Sequence, residues 1–224
     1  MAGTERGLAG QLRRRGGEKA GSQVSRPGRG DSATRTRILQ GAARCYAAGG
    51  IDTRVEDILR ASGISRRTFY QYFSGKNEVL GVLFQNASEV LVDRLAAAAS
   101  GGSPMERIEK VVDCYLDLLV SAGPLGDVMQ SEAARPGSPL GPQRRKTLDT
   151  LVAHFQAAAG AFDRRIDPLV FRTLLLAAES VCLQMRSSGQ LNPAATKRVR
   201  LVLLRIAQAT LAAGDDQVAG LPGS

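Results

Sequence analysis

From Ile38 onward the apolar residues of this chain return every three or four positions, and nowhere over a useful length do they alternate. That period belongs to helices with one buried face, so the chain is restricted to an all-α fold. Ile38, Leu39, Ala42, Ala43 and Tyr46 mark a first helix, which Gly49-Gly50 stops. Val55, Ile58, Leu59 and Ser62 mark a second, two turns long and ended by Gly63. A third opens after Ser65, a good N-cap, and runs to Phe73. Ser74 can cap the fourth, whose stripe runs from Val79 and Leu80 through Leu83, Phe84, Ala87, Val90 and Leu91 to Leu95, before the Ser100-Gly101-Gly102 stop. Ser103-Pro104-Met105-Glu106 joins an N-cap, a first-turn proline and a capping-box glutamate, and the helix it opens ends at Gly123-Pro124. A short helix over 125–134 and a Pro/Gly loop over 135–142 follow. Three more helices are predicted near 143–161, 168–187 and 193–213, the last two opened by Asp167-Pro168 and Asn192-Pro193. The expected total is about nine.

Charge is distributed unevenly along this pattern. Residues 1–80 carry 15 basic and 7 acidic side chains, whereas residues 81–224 carry 15 and 14. A basic front end on a nearly neutral body points to a polyanionic partner. Residues 1–31, with Arg13-Arg14-Arg15 and Arg26-Pro27-Gly28-Arg29-Gly30 among glycines, are expected to form a flexible basic arm. Either an inert tail or a groove-tracking arm fits that composition. Residues 214–224 read as a disordered tail.

Other classes fall away. Apolar runs such as Leu174-Leu175-Leu176-Ala177-Ala178 are broken by Arg172 and Glu179, short of the roughly 20 residues of a membrane span, so no membrane partner is expected. The N-terminus lacks the apolar segment of a secretory signal. Cys45, Cys114 and Cys182 are odd in number and scattered, which argues for a reducing compartment and against a disulfide scaffold or a zinc cage. A single histidine, His154, supplies no acid–base or metal set, so neither an enzyme, a cofactor nor a metal is expected. A soluble, cytoplasmic protein is the expectation.

The informative stretch is 54–73: helix, Gly63-Ile64-Ser65, helix. A short connection containing glycine lets two short helices cross steeply, which is helix-turn-helix geometry. At 100° per residue, Phe69, Tyr72 and Phe73 share the inner side of the second helix. Arg67, Tyr70 and Gln71 point outward, with Arg66 and Thr68 on the flanks. Guanidinium forks, a phenol, an amide and a hydroxyl can reach phosphates or base edges in a major groove, and the first residues of such a helix are the usual base readers.

The run Ile38-Leu39…Tyr46…Gly50…Val55-Glu56-Asp57-Ile58…Gly63-Ile64-Ser65-Arg66-Arg67-Thr68-Phe69-Tyr70-Gln71-Tyr72-Phe73-Ser74-Gly75-Lys76-Asn77-Glu78-Val79-Leu80 resembles the DNA-binding domain of TetR/AcrR-type transcriptional regulators. The resemblance covers about 50 residues and is most specific over Thr68–Phe73 and Lys76. It implies an N-terminal three-helix helix-turn-helix domain, taken as residues 32–91, and a helical ligand-binding and dimerisation domain, taken as 92–213. It implies that Thr53 or Arg54 anchors a phosphate, that Ser65, Arg66, Arg67 and Thr68 enter the major groove, and that Tyr70 and Lys76 hold phosphates. Gln71 joins this set from its outward position. The connection from Gly50 to Val55 is one residue shorter than the family pattern, and Leu59 and Ser62 stand where alanines are common.

The helices over 168–187 and 193–213 are apolar nearly all round, from Leu169 to Met185 and from Val199 to Leu211. Such helices need burial on both sides, and an intersubunit four-helix bundle supplies it; the family also dimerises through its last two helices. The expected cavity for a small-molecule effector lies within 104–187, with Tyr115, Leu118, Leu119, Met129, Leu151, His154, Phe155, Phe171 and Leu175 as lining candidates and an apolar or weakly polar ligand. The expectation is a homodimeric repressor on a palindromic double-stranded operator, released by that effector. An activator on the same kind of operator, or an effector-independent DNA-binding protein, are the alternatives.

Overall fold

The computed structural model describes residues 29–159 and 166–213, which form nine α-helices and one 3-10 turn, with no strand among the described residues. The helices are α1 (Arg29–Gly49), α2 (Val55–Ser62), α3 (Arg66–Tyr72), α4 (Lys76–Ala98), α5 (Pro104–Ser121), α6 (Gly123–Ala134), α7 (Gly141–Ala159), α8 (Pro168–Ser187) and α9 (Pro193–Ala213), with the 3-10 turn over Gly50–Asp52. The arm expected over 1–31 lies outside the described residues as far as 28, and α1 takes in the rest, since it begins at Arg29. The tail expected over 214–224 also lies outside them.

The chain divides into two compact units. The first holds the residues up to Glu89 together with Ser121–Arg144; the second holds Val90–Val120 and the residues from Arg145 on. The placement of α6 departs from the boundary expected at residues 91–92. Leu125, Met129 and Ala133 of α6, with Leu140, share one buried cluster with Ile38, Ala42 and Tyr46 of α1, Ile58 of α2, Phe69 and Phe73, and Leu80, Leu83 and Phe84 of α4. Burial of that apolar stripe decides the membership of α6, and its position in sequence does not.

Close approach shapes the first unit. Ser62, which replaces a common alanine, is buried at the α1–α2 contact and returns its hydroxyl to the Ile58 carbonyl at 2.6 Å. A Cβ at Gly41 would stand 2.9 Å from Ser62 Cβ and 3.0 Å from its backbone nitrogen, so glycine is what permits this crossing. Gly63 ends α2 at φ 64°, and the Gly63 and Ile64 amides donate to the Leu59 carbonyl at 2.9 and 3.2 Å.

The second unit packs around Leu95, Ile108, Leu116, Leu151, Leu175 and Leu203. Its helix starts follow the sequence closely. Ser103 and Glu106 exchange both bonds of a capping box, at 2.8 and 3.3 Å. Asp167 accepts from the Leu169 amide at 2.7 Å and Asn192 from the Ala195 amide at 3.0 Å. Arg200 pairs with Asp113 through two bonds, and Arg172 with Asp149.

By length and composition alone Pro168–Ser187 could cross a membrane. Phe171, Leu175, Ala178 and Cys182 are buried within the second unit, so this helix reads as a core helix with one face outward.

Candidate nucleic-acid interface and helical cavity

Helix α3 is fixed from both ends. Ser65 caps α3 by accepting the Thr68 amide at 3.1 Å, and its hydroxyl lies 2.8 Å from that of Thr68. Phe69 and Phe73 are buried, 6.0 Å apart between ring centres, and anchor the inner face. Tyr72, half-buried, donates its hydroxyl to Asp31 of α1 at 2.5 Å, and that bond holds its ionisation above the ordinary tyrosine range. Ser65, Arg66, Arg67, Tyr70 and Gln71 are exposed on the outer side, with Thr68 half-buried among them. Tyr70 stands edge-on to Phe69 at 5.3 Å and keeps 46% of its surface exposed, so its phenol faces solvent from a rigid base.

Two arginines not singled out in the sequence brace the motif from α1. Arg37 donates to the carbonyls of Ser62 and Gly63 at 3.0 and 3.3 Å, and Arg44 to that of Ala61 at 2.7 Å. Cations there satisfy the bare carbonyls ending α2 and suit its dipole. Their signal was a seven-residue spacing, two turns apart on one face of α1.

Two expected phosphate anchors have structural work to do. Thr53 is buried at 4% exposure and donates its hydroxyl to the Gly50 carbonyl at 2.9 Å. It therefore closes the shortened α1–α2 connection and offers no hydroxyl at the surface; of the Thr53/Arg54 pair, Arg54 is the exposed member. Lys76, half-buried, sends its ammonium to the carbonyls of Ile51 and Thr53, both at 2.9 Å. These two bonds use two of its three N–H groups. The Lys76 carbonyl in turn receives the hydroxyl of the fully buried Tyr46 at 2.8 Å, and burial pushes that phenol up to about 12. Glu78 accepts from the amide and hydroxyl of Ser74 at 2.7 and 2.8 Å, bonds that hold its carboxyl below the usual range.

Within the second unit lies an apolar cavity of about 30 Å³. Of the nine expected lining residues, Tyr115, Phe155, Phe171 and Leu175 border it. Leu151 and Leu119 are buried in the surrounding core, Leu118 is buried off the cavity, and half-buried His154 does not reach it. Met129 sits in the first unit's cluster. On α5 the lining face is Ile108, Val112 and Tyr115, which shares Tyr115 with the expected set but runs toward the start of the helix, while Leu119 continues that face beyond the cavity and Leu118 turns aside; α9 adds Leu203 and Ala207, which were not expected. Tyr115, which borders this space, donates its hydroxyl to the Leu175 carbonyl at 3.5 Å.

The three thiols are all pushed up, first of all by burial, which leaves them poor nucleophiles. Among the described residues no three His, Cys, Asp or Glu side chains gather as a metal site would require.

On the surface of the second unit, Leu169 of α8 is 62% exposed, and Leu201, Val202 and Ile206 of α9 are 46–48% exposed. The opposite faces of both helices are buried, through Phe171, Leu175, Ala178 and Cys182 on α8 and Val199, Leu203, Leu204 and Ala207 on α9.

Residues 38–83 match the family model described as bacterial regulatory proteins, tetR family. Over 56 residues the chain is 45% identical to a protein of Mycobacterium tuberculosis designated mycofactocin biosynthesis transcriptional regulator MftR; the match covers 25% of this chain and 28% of that one. Among solved structures, a tetR-type transcriptional regulator of Streptomyces avermitilis aligns at TM-score 0.61 and 26% identity, covering 79% of this chain and 97% of its own. The fatty acid degradation regulator FadR of Bacillus halodurans aligns at TM-score 0.62 and 20% identity, covering 75% of this chain and 96% of its own. Residues 38–83 thus carry the helix-turn-helix domain of the tetR family of bacterial regulatory proteins, and the helical fold that follows it in sequence is similar to that of TetR-like transcriptional regulators.

Proposed function

We infer that the protein is a homodimeric transcriptional repressor, acting in the cytoplasm, that binds a palindromic operator and leaves it when a small apolar molecule enters its helical second unit. The outward face of α3 carries this reading: Arg66, Arg67, Tyr70 and Gln71 lie exposed on a helix whose other face is locked by Phe69 and Phe73. In a major groove, Arg67 would read a guanine edge, while Arg54, Tyr70 and the remaining Lys76 donor would hold phosphates. Ser65 and Thr68 would contribute mainly by fixing the start of the helix. Half-site centres would lie one turn or a multiple apart, at about 34–36 Å per turn.

The exposed Leu169, Leu201, Val202 and Ile206 support dimerisation, since the same strip on a second copy would cover them in an intersubunit bundle of α8 and α9. The cavity's apolar walls favour an uncharged ligand, because nothing there would compensate a buried charge. Release would require that the ligand prefer the conformation that binds DNA poorly. The cavity's size of about 30 Å³ favours a second reading, DNA binding without an effector, because ordinary ligand pockets run to several hundred Å³.

The test is a pair of variants read across a panel of duplexes. Arg67→Ala should relax base preference at one position per half-site, costing about 1–3 kcal/mol on the right sequence. Lys76→Ala should weaken binding to every sequence alike and flatten the salt dependence. Identical behaviour of the two variants would remove the assignment of base reader and phosphate anchor.

A further inference from the structure

The outward face of the recognition helix is not purely cationic. Glu56, in the first turn of α2, brings Oε1 to 2.8 Å from Arg66 Nη1, across ten residues and two helices. On its other side the Arg66 guanidinium lies 5.7 Å from the centre of the Tyr70 ring, one turn further along α3. Tyr70 is itself braced edge-on by buried Phe69. The first residue of the recognition helix is therefore held between a carboxylate and an aromatic face, although its side chain remains 63% exposed. Its neighbour Arg67 has no such partner among the described residues.

The electrostatic consequence follows directly. A free guanidinium attracts phosphates of any duplex and displaces counterions as it binds, which adds to affinity without adding selectivity. Arg66 paired with Glu56 is locally neutral, and a phosphate approaching it from the α2 side meets a carboxylate. A guanidinium has five N–H donors in a rigid fork, so one bond to Glu56 leaves the other edge of the fork to address two acceptors on a guanine. The pair also limits the rotamers Arg66 must surrender on binding.

We propose that Glu56 is a specificity-determining residue: acting through Arg66, it suppresses sequence-independent attraction to phosphates and holds the guanidinium for base reading. This rests on the reading of α3 as a DNA-recognition helix. Glu56→Gln keeps the shape and an oxygen acceptor but removes the charge. It should raise affinity for non-operator duplex roughly threefold at moderate salt and steepen the salt dependence by up to about 0.9 in log–log slope, the value of one added phosphate contact. The ratio of operator to non-operator affinity should fall accordingly.

The experiment uses the full chain and two duplexes, a sequence enriched from a random pool and a scrambled control, with affinities measured over a salt series. Glu56→Gln is compared with the unaltered protein, and the same change is made in an Arg66→Ala background. A lower ratio and steeper slope in the single variant, both absent from the double variant, support the proposal. Unchanged affinities would reduce the pair to a solvated surface contact and overturn it. A loss confined to the operator would make Glu56 a direct base contact, which also overturns it. Persistence of the effect without Arg66 would mean that Glu56 acts on DNA by itself, against the proposed route. Failure of the unaltered protein to enrich any sequence would count against the DNA-recognition reading, and is distinguishable from all of these. Both side chains are more than half exposed, so folding should be unaffected, and thermal melting checks this.

Discussion

Gly41→Ala puts two effects of opposite sign against each other. In an isolated helix the change stabilises by about 1 kcal/mol, because glycine is the costlier residue in a helix interior. In this structure the new Cβ would meet Ser62 Cβ at 2.9 Å, Ser62 N at 3.0 Å and Ser62 Cα at 3.1 Å. Two of these atoms belong to the α2 backbone and cannot rotate away, so α1 and α2 must separate. Overpacking of this kind costs about 1–3 kcal/mol, and the upper part of that range applies where backbone is struck. The net expectation is a loss of about 1–2 kcal/mol, against the sign of helix propensity. Urea unfolding monitored by circular dichroism measures it, and operator affinity should fall with it, because α2 carries the turn that aims α3. Adding Ser62→Gly removes the 2.9 Å contact while leaving those at 3.0 and 3.1 Å, and should recover only part of the loss. A Gly41→Ala protein as stable as the original, or more so, would refute the close crossing.

Four further outcomes are expected. Tyr46→Phe strips the donor from the Lys76 carbonyl inside the first unit and should cost about 1–2 kcal/mol in the same unfolding assay. The Tyr46 phenol is raised in the fold from 10.0 to about 12, so its contribution is complete below the unfolded value and fades as pH rises from 10 towards 12. Alkaline unfolding should therefore come earlier in the original protein than in Tyr46→Phe once the two are matched for stability at neutral pH. Glu78 is held low by the Ser74 bonds, so its contribution is present above the ordinary glutamate value of 4.5 and is lost as pH falls through the depressed one; Glu78→Gln should flatten that part of an acid titration. Leu201→Glu with Ile206→Glu should give monomers by sedimentation, with operator binding lost and the helical spectrum retained; dimers that persist would place the interface elsewhere.

Local signals in the sequence translated well. Ser65, the Ser103/Glu106 pair, Asp167 and Asn192 cap helices as their types and spacings predict, since a cap needs only its own three or four residues. The inward Phe69 and Phe73 and the outward Arg67, Tyr70 and Gln71 were legible because one helical turn decides them. What depended on a second element was not. The membership of α6 in the first unit turns on Leu125, Met129 and Ala133 meeting α1 and α4, contacts that sequence order does not reveal. Thr53 looked like a surface hydroxyl until the shortened connection folded it inward, and Lys76 like a free cation until Ile51 and Thr53 offered it carbonyls. Of the cavity candidates on α5, Tyr115 was right and Leu119 lay on the right face but too far along the helix, because several residues there are equally apolar and only the placement of α8 and α9 selects Ile108, Val112 and Tyr115.

The most direct test of sequence-specific DNA recognition is selection from a random duplex pool by the purified full-length protein. Enrichment of an inverted repeat, its half-sites one helical turn or a multiple apart, is the expected result for a dimer presenting two copies of α3. Recovery of no common sequence, with binding that vanishes at moderate salt, would contradict it and leave a basic protein that attracts DNA without reading it.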